Sequence, residues 1–437
     1  MRAFLSPGIT HRLRRLDGPG TRIALVFAAL IPVFVIVSRS VTEGVIAGLA
    51  VGYLLHLAAT RDVAALRAPW FLVAMGYWAW IITATLLAGA GWDQLQVALA
   101  WGRFPLAMLA IAHWALASAQ AGRIALWVLG GAVGFVALEV WLQFIFGHGL
   151  TRAGDDLVGY FSGPFLRPRA GGYLSVALWP VLLPAVAALL GWRWQGRLGA
   201  FLLVALALGA VVLAGQRSPM LMTGAGLVVA ALVLRSLRLP VLFAALGAAI
   251  LLAAASLFAP VTFYRYAVHL PELLGNFPET HYGQIVARAL AMHQAHPWLG
   301  LGADAFRTAC YDPAYHIGWG GLGDGGGAAM CVTHVHHFYL EALVDGGWPG
   351  LILFTAFCVL VLLAMGRGLW PGAGGPSHTG PDPVRVGLLL AAGISLWPIG
   401  TAGAFAGIDQ AALRCLVIGL GLAAARRATA GEGTARA

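Results

Sequence analysis

Residues 21–59 read TRIALVFAALIPVFVIVSRSVTEGVIAGLAVGYLLHLAA, and this stretch decides the fold class. Two apolar runs, 21–39 and 42–59, meet at Ser38-Arg39-Ser40. A helix needs roughly 20 apolar residues to cross a hydrocarbon core about 30 Å thick. Each run has about that length, and neither alternates as a membrane strand does, so helices rather than a β-barrel cross the bilayer. Similar runs recur near 70–90, 104–120, 123–146, 172–191, 197–214, 219–236, 240–260, 348–366, 385–401 and 404–424. The sequence predicts an all-α, polytopic integral membrane protein with about 12 transmembrane helices.

Composition agrees. Hydrophobic residues are 60% and charged residues 10% of the chain, against roughly 45–50% and about 25% in soluble domains. Mean hydropathy is +0.83. A soluble enzyme, a disordered chain and a nucleic-acid-binding module are excluded. Net charge is +10, carried by arginine alone, since the chain has no lysine. Arginines cluster before the first run (Arg2, Arg12, Arg14, Arg15, Arg22) and in alternate loops (Arg61 and Arg67; Arg123; Arg193 and Arg197; Arg235 and Arg238; Arg367 and Arg385), then at Arg426 and Arg427. The positive-inside rule makes that side, and both termini, cytoplasmic. The basic N-terminus then leads into an uncleaved first anchor.

The chain divides accordingly. Residues 1–260 hold transmembrane helices 1–9, 261–347 form an extracytoplasmic loop subdomain, 348–425 hold helices 10–12, and 426–437 are a cytoplasmic tail. The long loop carries Trp298, Phe306, Tyr311, Tyr315 and Trp319, too aromatic for disorder, and the spacing predicts a helix over 280–295. The Gly- and Pro-rich 372–384 reads as a linker, and the segment after Arg427 as unstructured. Cys310 and Cys331 fall in the oxidising compartment. They are either free thiols or a disulfide closing a loop of about 20 residues, worth roughly 3 kcal/mol. Cys358 and Cys415 read as small core residues.

Polar residues retained on the extracytoplasmic side are the candidates for chemistry. The densest group is Thr333-His334-Val335-His336-His337-Phe338-Tyr339-Leu340-Glu341, followed by Asp345-Gly346-Gly347. Three readings stand for its histidines. Zinc ligation suits a spacing of three to five, which is absent. A structural role is the second. The third is catalytic, because imidazole removes protons near neutral pH. Arg217, in the turn Gly215-Gln216-Arg217-Ser218-Pro219, lies on the side that the positive-inside rule leaves poor in arginine. It either snorkels to headgroups or fixes a phosphate, with Gln216 and Ser218 adding hydrogen bonds. Arg167-Pro168-Arg169, with Arg152 upstream, suits an anionic headgroup.

Arg288 stands ahead of His293 and of His296-Pro297-Trp298-Leu299-Gly300-Leu301-Gly302. Those glycines, and the run 319–327, have no strand–helix context for a nucleotide site. Glu139 and Asp409 are intramembrane carboxylates, either functional or satisfied helix contacts. His56 and His113 read as packing residues. No P-loop, serine elbow or paired-carboxylate signature is present. Several arginines and a histidine on one face describe glycosyl transfer from a lipid diphosphate: guanidinium neutralises the leaving group and imidazole deprotonates the attacking hydroxyl.

These residues resemble the O-antigen ligase/O-antigen polymerase family of membrane glycosyltransferases. Arg288 ahead of His296-Pro297 and Gly300-Leu301-Gly302 is similar to the family's Arg followed by an "hP-x-x-G-x-G" turn. His336-His337-Phe338-Tyr339-Leu340, with Gly347 and Gly350, is similar to its "HN-x-x-L…G-x-x-G" motif, with His337 replacing Asn. Arg217 falls where the family has its other Arg, and Gly163-Pro164-Phe165 resembles its "G-x-F". The resemblance covers roughly 160–365. It implies an inverting, metal-independent transfer without cofactor at the periplasmic face of the bacterial inner membrane. The implied donor is an undecaprenyl-diphosphate-linked O-antigen glycan. The acceptor of a ligase is a sugar hydroxyl of lipid A–core. Partners are those lipids and the surrounding membrane lipids, not nucleic acid. The implied base is His336, with Arg217 and Arg288 on the diphosphate and Arg167, Arg169, His337, Gln216 and Tyr339 at the substrate. An O-antigen polymerase and a protein O-oligosaccharyltransferase share the motifs; a transporter with a gating loop is the non-enzyme alternative.

Overall fold

The computed structural model describes residues 18–152, 160–192, 194–258, 260–369, 380–398 and 404–435. Arg2, Arg12, Arg14, Arg15, Arg193 and most of the 372–384 linker lie outside them. The described residues hold helices and turns and no β-strand. In chain order the main helices are α1 Gly18–Val37, α2 Arg39–Thr60, α3 Pro69–Leu87, α4 Trp92–Trp101, α5 Arg103–Ala110, α6 Ala119–Phe146, α7 Ala170–Ala177 and α8 Trp179–Leu190. There follow α9 Trp194–Leu213, α10 Arg217–Val233, α11 Arg238–Phe258, α12 His281–Ala295, α13 Phe338–Gly366, α14 Pro383–Ser395 and α15 Ile408–Ala435.

Eight helices among the described residues are long and apolar enough to cross a membrane, or nine if the bent pair α7–α8 is one span. The chain is a multi-pass, all-α membrane protein. Large apolar side chains such as Trp127 (77% exposed) and Leu232 (68% exposed) have no protein cover, as lipid-facing positions should.

Four boundaries differ from the sequence reading. The fourth span, expected at 104–120, runs over Trp92–Ala115. Gly91 starts it, with Asp93 at the positive helix end, and a π turn at Ile111–Ala115 closes it before Ser118 caps α6. The sixth span is broken at Leu178 by 56°, because Pro180 offers no N–H and clashes with the preceding turn. The eleventh span stops at Ser395. The segment after Arg427, expected to be unstructured, continues α15 to Ala435.

α15 is the central helix. Its apolar window is 83% buried, whereas the other spans reach 33–61%. Lipid tails are as apolar as leucine, so close van der Waals packing rather than burial holds such helices together. Gly419 shows the fit: a Cβ there would sit 2.5 Å from the Ile111 side chain. Beside this bundle the loop builds a second, smaller core from Ile285, Met292, Phe306, Tyr315, Val335 and Leu343. The helix expected at 280–295 is α12, capped by Thr280, whose hydroxyl accepts the Gly283 N–H at 3.1 Å.

Candidate active site

α13 begins where the histidines end. His337 is its N-cap: Nδ1 accepts the Leu340 N–H at 3.1 Å. An accepting ring nitrogen carries no proton, so His337 is held neutral, and burial lowers its pKa further. This is the work that Asn does well at an N-cap. His336, one residue earlier, has φ +59. A left-handed backbone at a non-glycine residue costs on the order of 1–3 kcal/mol and persists only where the surroundings enforce it. His334 Nε2 lies 3.1 Å from His336 Nδ1, and Thr333 Oγ1 lies 2.9 Å from His334 Nδ1. Burial, with His336 and Arg307 nearby, pushes the His334 pKa down to about 4. The lowered pKa favours the neutral His334 ring beside His336. The Tyr282 ring meets His336 edge-on at 5.5 Å.

The turn 296–306 is stitched to α13. Leu301 N–H donates to Val344 O at 3.0 Å and Gly302 N–H to Asp345 O at 2.9 Å. The Asp345 carboxylate accepts the N–H groups of Ala305 and Asp304 at 3.1 and 3.2 Å. At Gly347, φ is +61 and a Cβ would lie 2.4 Å from Trp298 O. Gly300 meets Asp345 O equally closely. These glycines let two backbones touch. They also break α13 at Gly347, so its first turns, carrying Tyr339 and Glu341, stand as a separate segment at the span's mouth.

Arg288, read from the sequence as a diphosphate ligand, is enclosed by the loop. It is 0% exposed. Its guanidinium donates to Cys310 O at 3.0 Å and Gly327 O at 2.6 Å, and lies 3.3–3.4 Å from the sulfurs of Cys310 and Cys331. Those cysteines form a disulfide with Cα atoms 5.6 Å apart. Arg288 thus ties the loop together from within. Arg288→Ala leaves two carbonyls unsatisfied at about 1–3 kcal/mol each. We expect it to lower the thermal midpoint of the purified protein strongly; a variant as stable as wild type with only kcat reduced would return Arg288 to the diphosphate.

The other arginines gather at the same end of the bundle. Asp409 Oδ2 is shared by Arg169 at 2.5 Å and Arg39 at 3.4 Å. Two guanidiniums on one carboxylate leave the group positively charged. Gln216 fixes the neighbouring turn: its Oε1 accepts the Gly172 N–H at 2.9 Å and its Nε2 donates to Pro168 O at 2.7 Å. Arg217 opens α10 directly after it, half-buried and without an ion pair among the described residues. Arg167 is exposed. Gly163 is held by two hydrogen bonds to Gln143, at 2.8 and 2.9 Å. Glu139 caps the turn at Leu150 and Thr151, so it is a satisfied contact.

The first turns of α13 are tied to the residues on either side of the α14–α15 connection. Tyr339 donates its hydroxyl to Leu396 O at 3.0 Å, and Glu341 accepts the Phe405 N–H at 3.4 Å. Arg414, 1% exposed, donates to Phe405 O at 2.6 Å and stacks on Phe405 and Phe338. Arg414 escaped the sequence reading, although a charge within an apolar run is its own signal. Arg307, 3.0 Å from Asp304, escaped it too. Among the described residues no group of three or more His, Cys, Asp or Glu is placed to hold a metal ion.

Comparison with known proteins adds one match. Residues 201–355 fit the sequence model of a family described as O-antigen ligase, a window that takes in Arg217, Arg288, the 296–302 turn and the histidines. No curated protein matches the chain.

Proposed function

We propose, for a chain that belongs through residues 201–355 to the O-antigen ligase/polymerase family, that it is the ligase. It moves a glycan from undecaprenyl diphosphate to a sugar hydroxyl of lipid A–core, at the periplasmic face of the inner membrane, with about twelve crossings and both termini cytoplasmic. The observation that carries the reading is the three-histidine geometry. His337 is committed to the cap and His334 lies against Nδ1 of His336, and we assign the acceptor hydroxyl to His336, which the left-handed backbone sets apart from both.

In the step proposed, His336 takes the acceptor proton as the oxygen attacks the anomeric carbon of the donor. The bond from that carbon to the diphosphate oxygen breaks, and its electron pair leaves with undecaprenyl diphosphate. One displacement inverts the anomeric centre. Arg217 faces the developing charge, with Arg169 and Arg167 adding positive potential; a preorganised cation is worth most where water is excluded. The proton on His336 passes to the departing phosphate or to water. His334 plays the orienting part that a carboxylate plays in other His-based sites. No metal and no cofactor enters the step.

The test is transfer by the purified full chain, given the lipid-linked glycan and lipid A–core after exhaustive chelation. The reading expects one glycan per core, with inverted linkage and an undiminished rate. Lengthened lipid-linked glycan beside untouched core would replace ligase with polymerase. Rescue of a dead, chelated enzyme by zinc would make the histidines ligands.

A further inference from the structure

At the end of the bundle opposite the histidines, two cavities adjoin. The first, about 450 Å³, is lined by Tyr53, His56, Asp62, Arg67, His113 and Arg426 among others. The second, about 330 Å³, lies against α3, α13 and α15, along Trp70, Leu360, Leu363 and Leu422, with Arg367 also on its wall. Ala68, His113 and Arg426 line both, so a charged chamber passes into an apolar slot.

The electrostatics are one-sided. Arg67, Arg367 and Arg426 are exposed and form no ion pair among the described residues. Asp62 is the one carboxylate on the two walls, and its Oδ1 already accepts the Ala64 N–H at 3.1 Å. Arg426 is anchored by donating to Ala112 O at 3.0 Å. That carbonyl belongs to the π turn that also carries His113, and such turns are enriched at functional sites. The His56 ring is braced on Trp114 at 5.2 Å.

Arginines at this end are expected from the positive-inside rule alone, and scattered ones would meet headgroups without preference. The pairing of a basic chamber with an apolar slot goes further, because it has the form of a head and a tail. Guanidinium is the group of choice for phosphate oxygens, and basic pockets between membrane helices take anionic headgroups.

We propose that the joined cavities bind one anionic phospholipid, its phosphate on Arg67 and Arg426 and an acyl chain in the slot past Trp70, Leu363 and Leu422. The site is at the other end of the bundle from His336, and the proposal stands whichever acceptor the enzyme uses.

Native mass spectrometry of the full chain in detergent tests it, titrated with dioleoylphosphatidylglycerol and, separately, with dioleoylphosphatidylcholine. The first phosphatidylglycerol should bind at least tenfold more tightly than the first phosphatidylcholine. Arg67→Gln with Arg426→Gln should erase that preference. Leu363→Trp, which fills the slot without changing charge, should weaken binding too. Arg123→Gln with Arg235→Gln, equally exposed arginines that line neither cavity, should leave it intact. Equal binding of the two lipids, equal losses from both arginine pairs, or inorganic phosphate binding as tightly as the lipid would each overturn the proposal.

Discussion

His336→Ala should abolish measurable glycan transfer while the protein stays folded and inserted. A positioned general base contributes on the order of 10²–10⁴-fold, and no neighbour replaces it. His337 is the nearest candidate, but its Nδ1 is committed to the Leu340 N–H. The two histidines should therefore separate cleanly. His337→Asn keeps the cap and should keep most of the rate. His337→Ala loses the cap, about 1 kcal/mol, and should lower stability and rate together by loosening the start of α13. Initial rates on lipid A–core, with a thermal melt of each variant, check this. A live His336→Ala beside a dead, stable His337→Asn would move the base to His337.

Arg217→Ala should cost on the order of 10²–10³ in kcat/KM, the loss seen when one preorganised donor to a developing anion is removed. The position explains the size. Arg217 is the first residue of α10, so the positive end of that helix adds to the guanidinium. It is also free of the carboxylate that engages Arg169. Lysine keeps the charge and loses the two-pronged geometry, so Arg217→Lys should recover only part of the rate. Arg167→Ala, at an exposed position, should cost far less and matter mainly at low salt. These are steady-state measurements with the lipid-linked donor varied. An unchanged kcat/KM in Arg217→Ala would remove the residue from the donor site.

Much of this was legible before any coordinates. Hydropathy alone locates the helices, because a bilayer demands long apolar runs whatever the tertiary contacts. It fails where length stops being the criterion. α14 is only 13 residues long, and the fourth span begins twelve residues early, where Trp92–Trp101 carries Asp93 and two glutamines and reads as half polar. The breaks at Leu178 and Gly347 follow from Pro180 and from a backbone contact with Trp298 that no local pattern announces.

The site is similar. Its members stand out as arginines and histidines where apolar residues are the rule. Their partners do not. Nothing in the sequence says that Arg288 bonds a carbonyl of the loop beside a disulfide. Nothing says that Asp409 carries Arg169 from more than two hundred residues away. The order of His334, His336 and His337 gives the candidates, and only the cap and the left-handed turn at His336 distinguish their settings.

Ligation to lipid A–core is checked by a lipopolysaccharide gel from cells that carry this gene, with the gene deleted and then restored as wild type or as His336→Ala. Deletion should remove the whole glycan ladder while undecaprenyl-linked polymer accumulates, wild type should restore the ladder, and His336→Ala should not. A single repeat left on the core, or a ladder unchanged by the deletion, would contradict it.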